Sequence, residues 1–311
     1  MKKLFIIGNG FDIAHGLLTR FSNFREFLFN ECNGEISYMP MTYIGIDGET
    51  VADRKGTAGL LIDLIDNTSK GDNWEDLEES MGRFEYLSYF DEYDMGSAIQ
   101  DEDDDEMFRV AYAREDVASD LSCCIVEIKN LFSEWIDTID IRTVKEQSRF
   151  ISLFDEDTEF LTFNYTMTLE EIYDICKSKV CHIHGKQGSD IIVGHGNDDN
   201  PYIEETFRTF AIQGSLENLF DSLKKDVYGC FCQHSDFFQR IKLSQVEEIY
   251  SFGCAFSEPD RFYIMQLCKL IDTSKVIWHL AEFDEDKNET YESLIRNCGF
   301  KGEFGTLIPN K

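Results

Sequence analysis

The sequence predicts an α/β protein, a doubly wound parallel sheet with a large helical insertion after its first βα unit. Three observations lead there. Leu4-Phe5-Ile6-Ile7 is a continuous apolar run of the kind a strand buried on both faces shows, and it enters Gly8-Asn9-Gly10 and a segment of helical character. From Thr158 onward, short apolar runs alternate with helical stretches. Residues 36–145, between these parts, are largely helical in pattern.

The first element ends in a turn that offers bare backbone N–H groups and a helix N-terminus, the arrangement that cradles phosphate in many α/β proteins. An ordinary βα turn carries the same glycines, so both readings stay open at this point. Residues 36–56 show no clear period, and helical pattern returns over Leu60–Ile65. Asp72 and Glu75 read as N-cap and N3 of a capping box, opening a helix that buries Leu77, Met81 and Phe84. The acidic stretch 91–106 reads as a solvated loop, because it lacks the alternating ligands and glycine turn of a calcium site. Met107 to Asp140 contains no Gly or Pro. Its apolar residues Val117, Leu121, Cys124, Ile128, Leu131 and Trp135 follow a 4-3-4-3-4 spacing, which predicts one long amphipathic helix, packed inside a helical lobe or at a subunit contact. Strands are expected near 159–163, 180–183, 190–193, 248–252 and 275–280, with helices over 168–177 and roughly 203–242. Residues 1–35 and 146–311 would then form an α/β nucleotide-binding domain, and 36–145 an insertion lobe bearing the acidic loop.

Composition removes several function classes. A formal net charge of −31 repels a phosphate backbone, so no nucleic-acid partner is expected. No stretch approaches the ~20 apolar residues of a membrane span, and Gly8 interrupts the short run after Met1-Lys2-Lys3 that would otherwise resemble a signal peptide. Ten cysteines without a CxxC pair fit packed thiols in a reducing compartment, with no metal site. The expectation is a soluble, cytoplasmic protein that touches no membrane.

In a parallel sheet of this type, functional groups collect beyond the carboxyl ends of the strands. Gly8-Asn9-Gly10 with Asp12, Asn164, His184-Gly185, and Gly253 with Ser257 and Asp260 all fall at such ends. His195 is a rival to His184 as a base, since it too ends an expected strand, and His15 lies one turn into the first helix. The two-residue strand period would put His182 on the same side as His184, where it reads as packing.

These residues carry a resemblance. Gly8-Asn9-Gly10-Phe11-Asp12 with Ala14-His15-Gly16-Leu17, Trp74-Glu75-Asp76-Leu77-Glu78, Phe163-Asn164-Tyr165-Thr166 and His182-Ile183-His184-Gly185 resemble the AbiH family of bacterial anti-phage, abortive-infection proteins over nearly the whole chain. At greater distance, the motifs are similar in kind and order to the sirtuin-like, Rossmann-type fold that consumes NAD. The resemblance implies that Gly8 and Gly10 approach the NAD pyrophosphate, with Asn9 and Asp12 in the same cofactor-binding loop. Gly253 and Ser257 would line the adenosine side, with Asp260 structural or ribose-binding. Asn164 would position the nicotinamide ribose or the attacking water, and His184 would be the general base. The paired cysteines of a sirtuin zinc ribbon are missing, which turns the implied activity from deacylation to hydrolysis of NAD, as substrate, to nicotinamide and ADP-ribose. Asn9 and Asp12 stand where the sirtuin-like fold has Ala and often Ser. Regulation by homo-oligomer formation or a phage-derived trigger is implied. A nucleotide-binding sensor or interaction module without turnover is the alternative.

Overall fold

A computed structural model describes residues 2–37, 39, 41–70, 76–92, 104–204, 206–281 and 285–307. In chain order, the elements begin with β1 (Lys3–Ile7), α1 (Gly10–His15), α2 (Phe21–Glu31), β2 (Thr42–Ile44) and β3 (Thr50–Ala52). The helices α3 (Arg54–Thr68), α4 (Leu77–Met81), α5 (Leu87–Glu92), α6 (Asp104–Val126), α7 (Ile128–Asp137) and α8 (Ser148–Ile151) follow. Next come β4 (Thr158–Thr162), α9 (Thr168–Tyr173), β5 (Val180–His182), α10 (Gln213–Ser222), α11 (Val227–Gln233) and α12 (Ser235–Ser244). The chain closes with β6 (Glu248–Phe252), α13 (Glu258–Leu270), β7 (Ile277–Ala281), α14 (Glu285–Asn297) and β8 (Glu303–Leu307).

The chain divides into two compact units: residues 1–19, 136–192 and 226–311, and residues 20–135 and 193–225. These limits differ from the expected breaks at 35 and 145. α2 groups with the second unit, and so does a separate later segment, 193–225, so the second unit is assembled from two excursions of the chain.

The first unit is built on a six-stranded parallel sheet in the order β5-β4-β1-β6-β7-β8. From central β1 the chain runs outward to β4 and β5, then crosses to β6 on the other side of β1. The strand order thus reverses beside β1, where ligand crevices form in such sheets. Both faces are covered by helices. Leu4 and Ile6 join Leu161, Cys181, Ile249, Trp278 and residues of α11–α14 in one core. Phe5 and Ile7 join Phe160, Tyr250, Phe252, Phe11 of α1 and Leu169 of α9 in the other. Burial on both faces explains why these strands are apolar throughout rather than alternating.

Differences from the expected elements have local causes. Residues 190–193 form no strand. Ile192 donates its N–H to His184 O, and Val193 is buried in irregular backbone. β8 was not anticipated, because an edge strand reading Glu303-Phe304-Gly305-Thr306-Leu307 has little apolar character. The 107–140 helix is interrupted at Glu127, whose N–H turns to Cys124 O, but Leu121, Cys124, Ile128, Leu131 and Trp135 are buried as the spacing predicts.

In the second unit, Phe24, Phe132 and Trp135 form an aromatic cluster with centroids 5.2–5.4 Å apart. The pair β2–β3 fills part of the stretch without period. Leu77, Met81 and Phe84 are buried as expected, whereas Asp72, Trp74, Glu75 and most of the acidic loop 91–106 lie outside the described residues. No helix among the described residues is long and apolar enough to cross a membrane.

Candidate functional site

The turn after β1 is packed against the turn after β6. Gly8 and Gly10 donate their N–H groups to Phe252 O and Gly253 O, each at 3.0 Å, and Phe11 N–H turns back to Gly8 O at 2.9 Å. A Cβ at Gly8 would lie 2.5 Å from Gly253 O, and one at Gly10 2.5 Å from Gly253 Cα. The glycine spacing therefore has a packing cause: two backbones touch without side chains between them. The Asn9 amide donates to Thr19 O at 2.6 Å. Gly253 has φ +67°, and the chain after it leads to Ser257, the N-cap of α13, whose hydroxyl donates to Asp260 Oδ2 at 2.7 Å.

Asp12, in the first turn of α1, is 1% exposed. Thr166 donates its hydroxyl to Asp12 Oδ2 at 2.6 Å and Thr168 donates to Oδ1 at 2.9 Å, while the two hydroxyls are 2.9 Å apart. Three such oxygen contacts call for three protons, and two threonines supply two. The third is present when the carboxyl is itself protonated. Burial accordingly pushes Asp12 up to about 6, against hydrogen bonds from Thr166, Thr168 and Asn164 and the charge of His182.

Folded protein holds that proton more tightly than unfolded chain, so this contribution to stability is complete below about pH 4 and is lost as pH rises through about 6. The shift corresponds to about 3 kcal/mol. Asp12→Asn is expected to flatten the fall in denaturant midpoint that wild type shows between pH 4 and 7. Parallel pH profiles for the two proteins would refute it.

β4 delivers Asn164 to the same place. The Asn164 N–H is hooked to Thr162 Oγ1 at 3.0 Å, and its side chain bonds Asp12. The Asn164 hydrogen bond lowers the Asp12 pKa, so it is donated to the ionised carboxylate, which places the amide nitrogen toward Asp12. Its Oδ1 is buried and has no hydrogen-bond partner. β5 ends at His182, and the chain turns immediately, which sends the two histidines to opposite faces instead of one. His182 lies over α9, with Nδ1 3.2 Å from Asn164 O and Nε2 2.9 Å from Glu170 Oε1. Both ring nitrogens face acceptors, and only an imidazolium satisfies both. Burial alone would raise the Glu170 carboxyl, but the hydrogen bond and charge of His182, its own N–H and Lys186 hold it below its usual range.

His184, 2% exposed, turns to the other core. Its Nε2 is 3.2 Å from Tyr263 OH, and its ring lies against Phe163 and Tyr263. A Cβ on Gly185, at φ +81°, would overlap Asp190 O, so the glycine after His184 is required by the turn.

His15 and His195 are held by their neighbours. His15 donates from Nδ1 to Phe11 O at 2.7 Å and accepts at Nε2 from Tyr173 OH at 2.5 Å. Burial depresses its pKa, as it does that of His195. His195 belongs to the second unit. There Nε2 donates to Phe220 O and Nδ1 accepts from Asn197 N–H.

The structure thus brings Asp12 and Asn164 together beyond the ends of β1 and β4, and adds Thr166, Thr168, Glu170 and His182. The sequence pattern singled out none of Thr166, Thr168 and Glu170. Their signal was a strand end followed by Thr-x-Thr-x-Glu opening a helix.

The family described as bacteriophage abortive infection AbiH matches residues 4–281. The chain belongs to the AbiH family. No curated protein and no solved structure matches it. The AbiH match spans both βα turns, both histidines and the whole polar group around Asp12. It supports a role in phage abortive infection for this chain.

Proposed function

We propose that this AbiH chain serves abortive infection by hydrolysing the N-glycosidic bond of NAD, or a close relative, to nicotinamide and ADP-ribose. The sirtuin-like order of its motifs supports that reaction. The observation that carries it is the buried Asn164 carboxamide, anchored on Asp12 through its nitrogen with Oδ1 left without a partner, at the carboxyl end of the sheet. Breaking a glycosidic bond builds oxocarbenium character, so a polar group that orients the ribose or water and a neutral base suffice. Asn164 orients. His184, the base that the motif resemblance assigns, takes the proton from water or a ribose hydroxyl. His182 has no free lone pair in this arrangement and acts by fixing Asn164 and Glu170.

Incubation of the purified protein with NAD, with and without lysate of phage-infected cells as trigger, is expected to release nicotinamide. Asn164→Ala and His184→Ala should each slow release about 100-fold or more. Equal NAD levels in infected cells carrying wild type or His184→Ala would overturn the reading.

The burial of Asp12, Asn164 and His184 favours a second reading, a nucleotide sensor that closes around its ligand without turnover. It predicts ligand-stabilised melting with intact nucleotide recovered afterwards.

A further inference from the structure

The donors and acceptors around this site do not balance, and the imbalance has a sign. On the donor side, four backbone N–H groups of the β1–α1 turn are spent, that of Asn9 not among them. Gly8 and Gly10 give their N–H groups to Phe252 O and Gly253 O, Phe11 gives its own to Gly8 O, and Ile13 to Asn9 O. The Asn9 amide is taken by Thr19 O. Gly253 also occupies the face of the turn that a phosphate would approach, as the overlap of a Cβ at Gly8 or Gly10 shows.

On the acceptor side, two buried oxygens remain unmet: Asn164 Oδ1 and Glu170 Oε2. Their residues are 6% and 7% exposed. One imidazole joins them, since His182 contacts Asn164 O through Nδ1 and Glu170 Oε1 through Nε2. The ring spends both protons on those contacts and has none left for the orphaned oxygens. Lys186 has its Nζ 3.6 Å from Glu170 Oε1, so its charge is matched by the carboxylate. Glu170, held ionised, repels an anion. A buried acceptor left without a donor is costly, so a ligand that supplies donors gains by entering.

We infer that the ligand group received between Asn164 and Glu170 is an uncharged or cationic group rich in hydrogen-bond donors, of the ribosyl cis-diol class, and that no phosphate rests on the Gly8–Gly10 turn. The inference rests on the nucleotide reading above and adds Glu170 as a ligand-binding residue. It also moves the pyrophosphate of any dinucleotide away from the turn that the motif resemblance assigns to it. A diol supplies donors to two acceptors whose residues share one ring as neighbour, whereas a phosphate offers mainly further acceptors.

Isothermal titration with three probes tests this on wild-type protein: nicotinamide riboside, the same riboside with its 2′,3′-diol blocked as an isopropylidene, and inorganic pyrophosphate. The riboside is expected to bind, the blocked riboside at least 10-fold more weakly, and pyrophosphate not at all. Glu170→Gln, which places an amide donor where one carboxylate oxygen accepts, should weaken riboside binding by a similar factor.

Equal binding of free and blocked riboside, no riboside binding up to millimolar concentration, or saturable binding of pyrophosphate that competes with the riboside would each overturn the inference. These failures differ from failure of the proposed activity. Diol-dependent riboside binding without NAD hydrolysis removes the enzyme reading alone, and NAD hydrolysis with diol-independent binding removes this inference alone.

Discussion

Gly253→Ala is expected to cost roughly 2–5 kcal/mol of folding stability, a large share of what a domain of ordinary stability possesses. Two effects add. Gly253 sits at φ +67°, where a residue with a Cβ loses about 1–2 kcal/mol. The new methyl group would then be driven into Gly10 Cα, the Gly10 carbonyl carbon and Phe11 N. Those are backbone atoms of a turn tied down by the Gly10 N–H bond to Gly253 O, so no side chain can swing aside. Overpacking against a fixed neighbour costs about 1–3 kcal/mol more. Gly16→Ala separates the terms. Gly16 has φ +86° but nothing within 4 Å of a built Cβ, so only the conformational part applies there. Urea denaturation of the three proteins measures both, and a Gly253→Ala midpoint equal to that of Gly16→Ala would sink the packing account.

The same turn shows how far the sequence could be read and where it stopped. β1, β4, β5, β6 and β7 were legible because burial on both faces leaves unbroken apolar runs such as Leu4–Ile7 and Phe160–Thr162. The apolar residues at 191–193 have the same texture yet are buried in loop backbone, which no pattern of apolar residues distinguishes from a strand. Gly8-Asn9-Gly10 is equally silent on whether glycine clears space for a phosphate or for Gly253, since either requires the absence of a Cβ. Asn164 was identifiable from its place at a strand end. Glu170, Thr166 and Thr168 were not, because Asp12 lies 154 and 156 residues from the two threonines that hold it. The pairing of His182 with His184 failed on one residue of strand length. The two-residue alternation holds only while the strand continues, and β5 stops at His182.

Glu170→Ala carries the other large effect. Its carboxylate and the His182 ring are a buried ion pair, with side chains 3% and 7% exposed and atoms 2.9 Å apart. Removing one member of such a pair leaves the other uncompensated, at a cost of about 3–5 kcal/mol. In a double-mutant cycle the pair Glu170→Ala, His182→Ala is expected to cost less than the sum of the single changes by about 1–3 kcal/mol. Additive costs from chemical denaturation would mean that the two side chains stabilise the protein independently. The Asn164 loop would then owe its position to the Thr162 hook and the Asp12 bond rather than to His182.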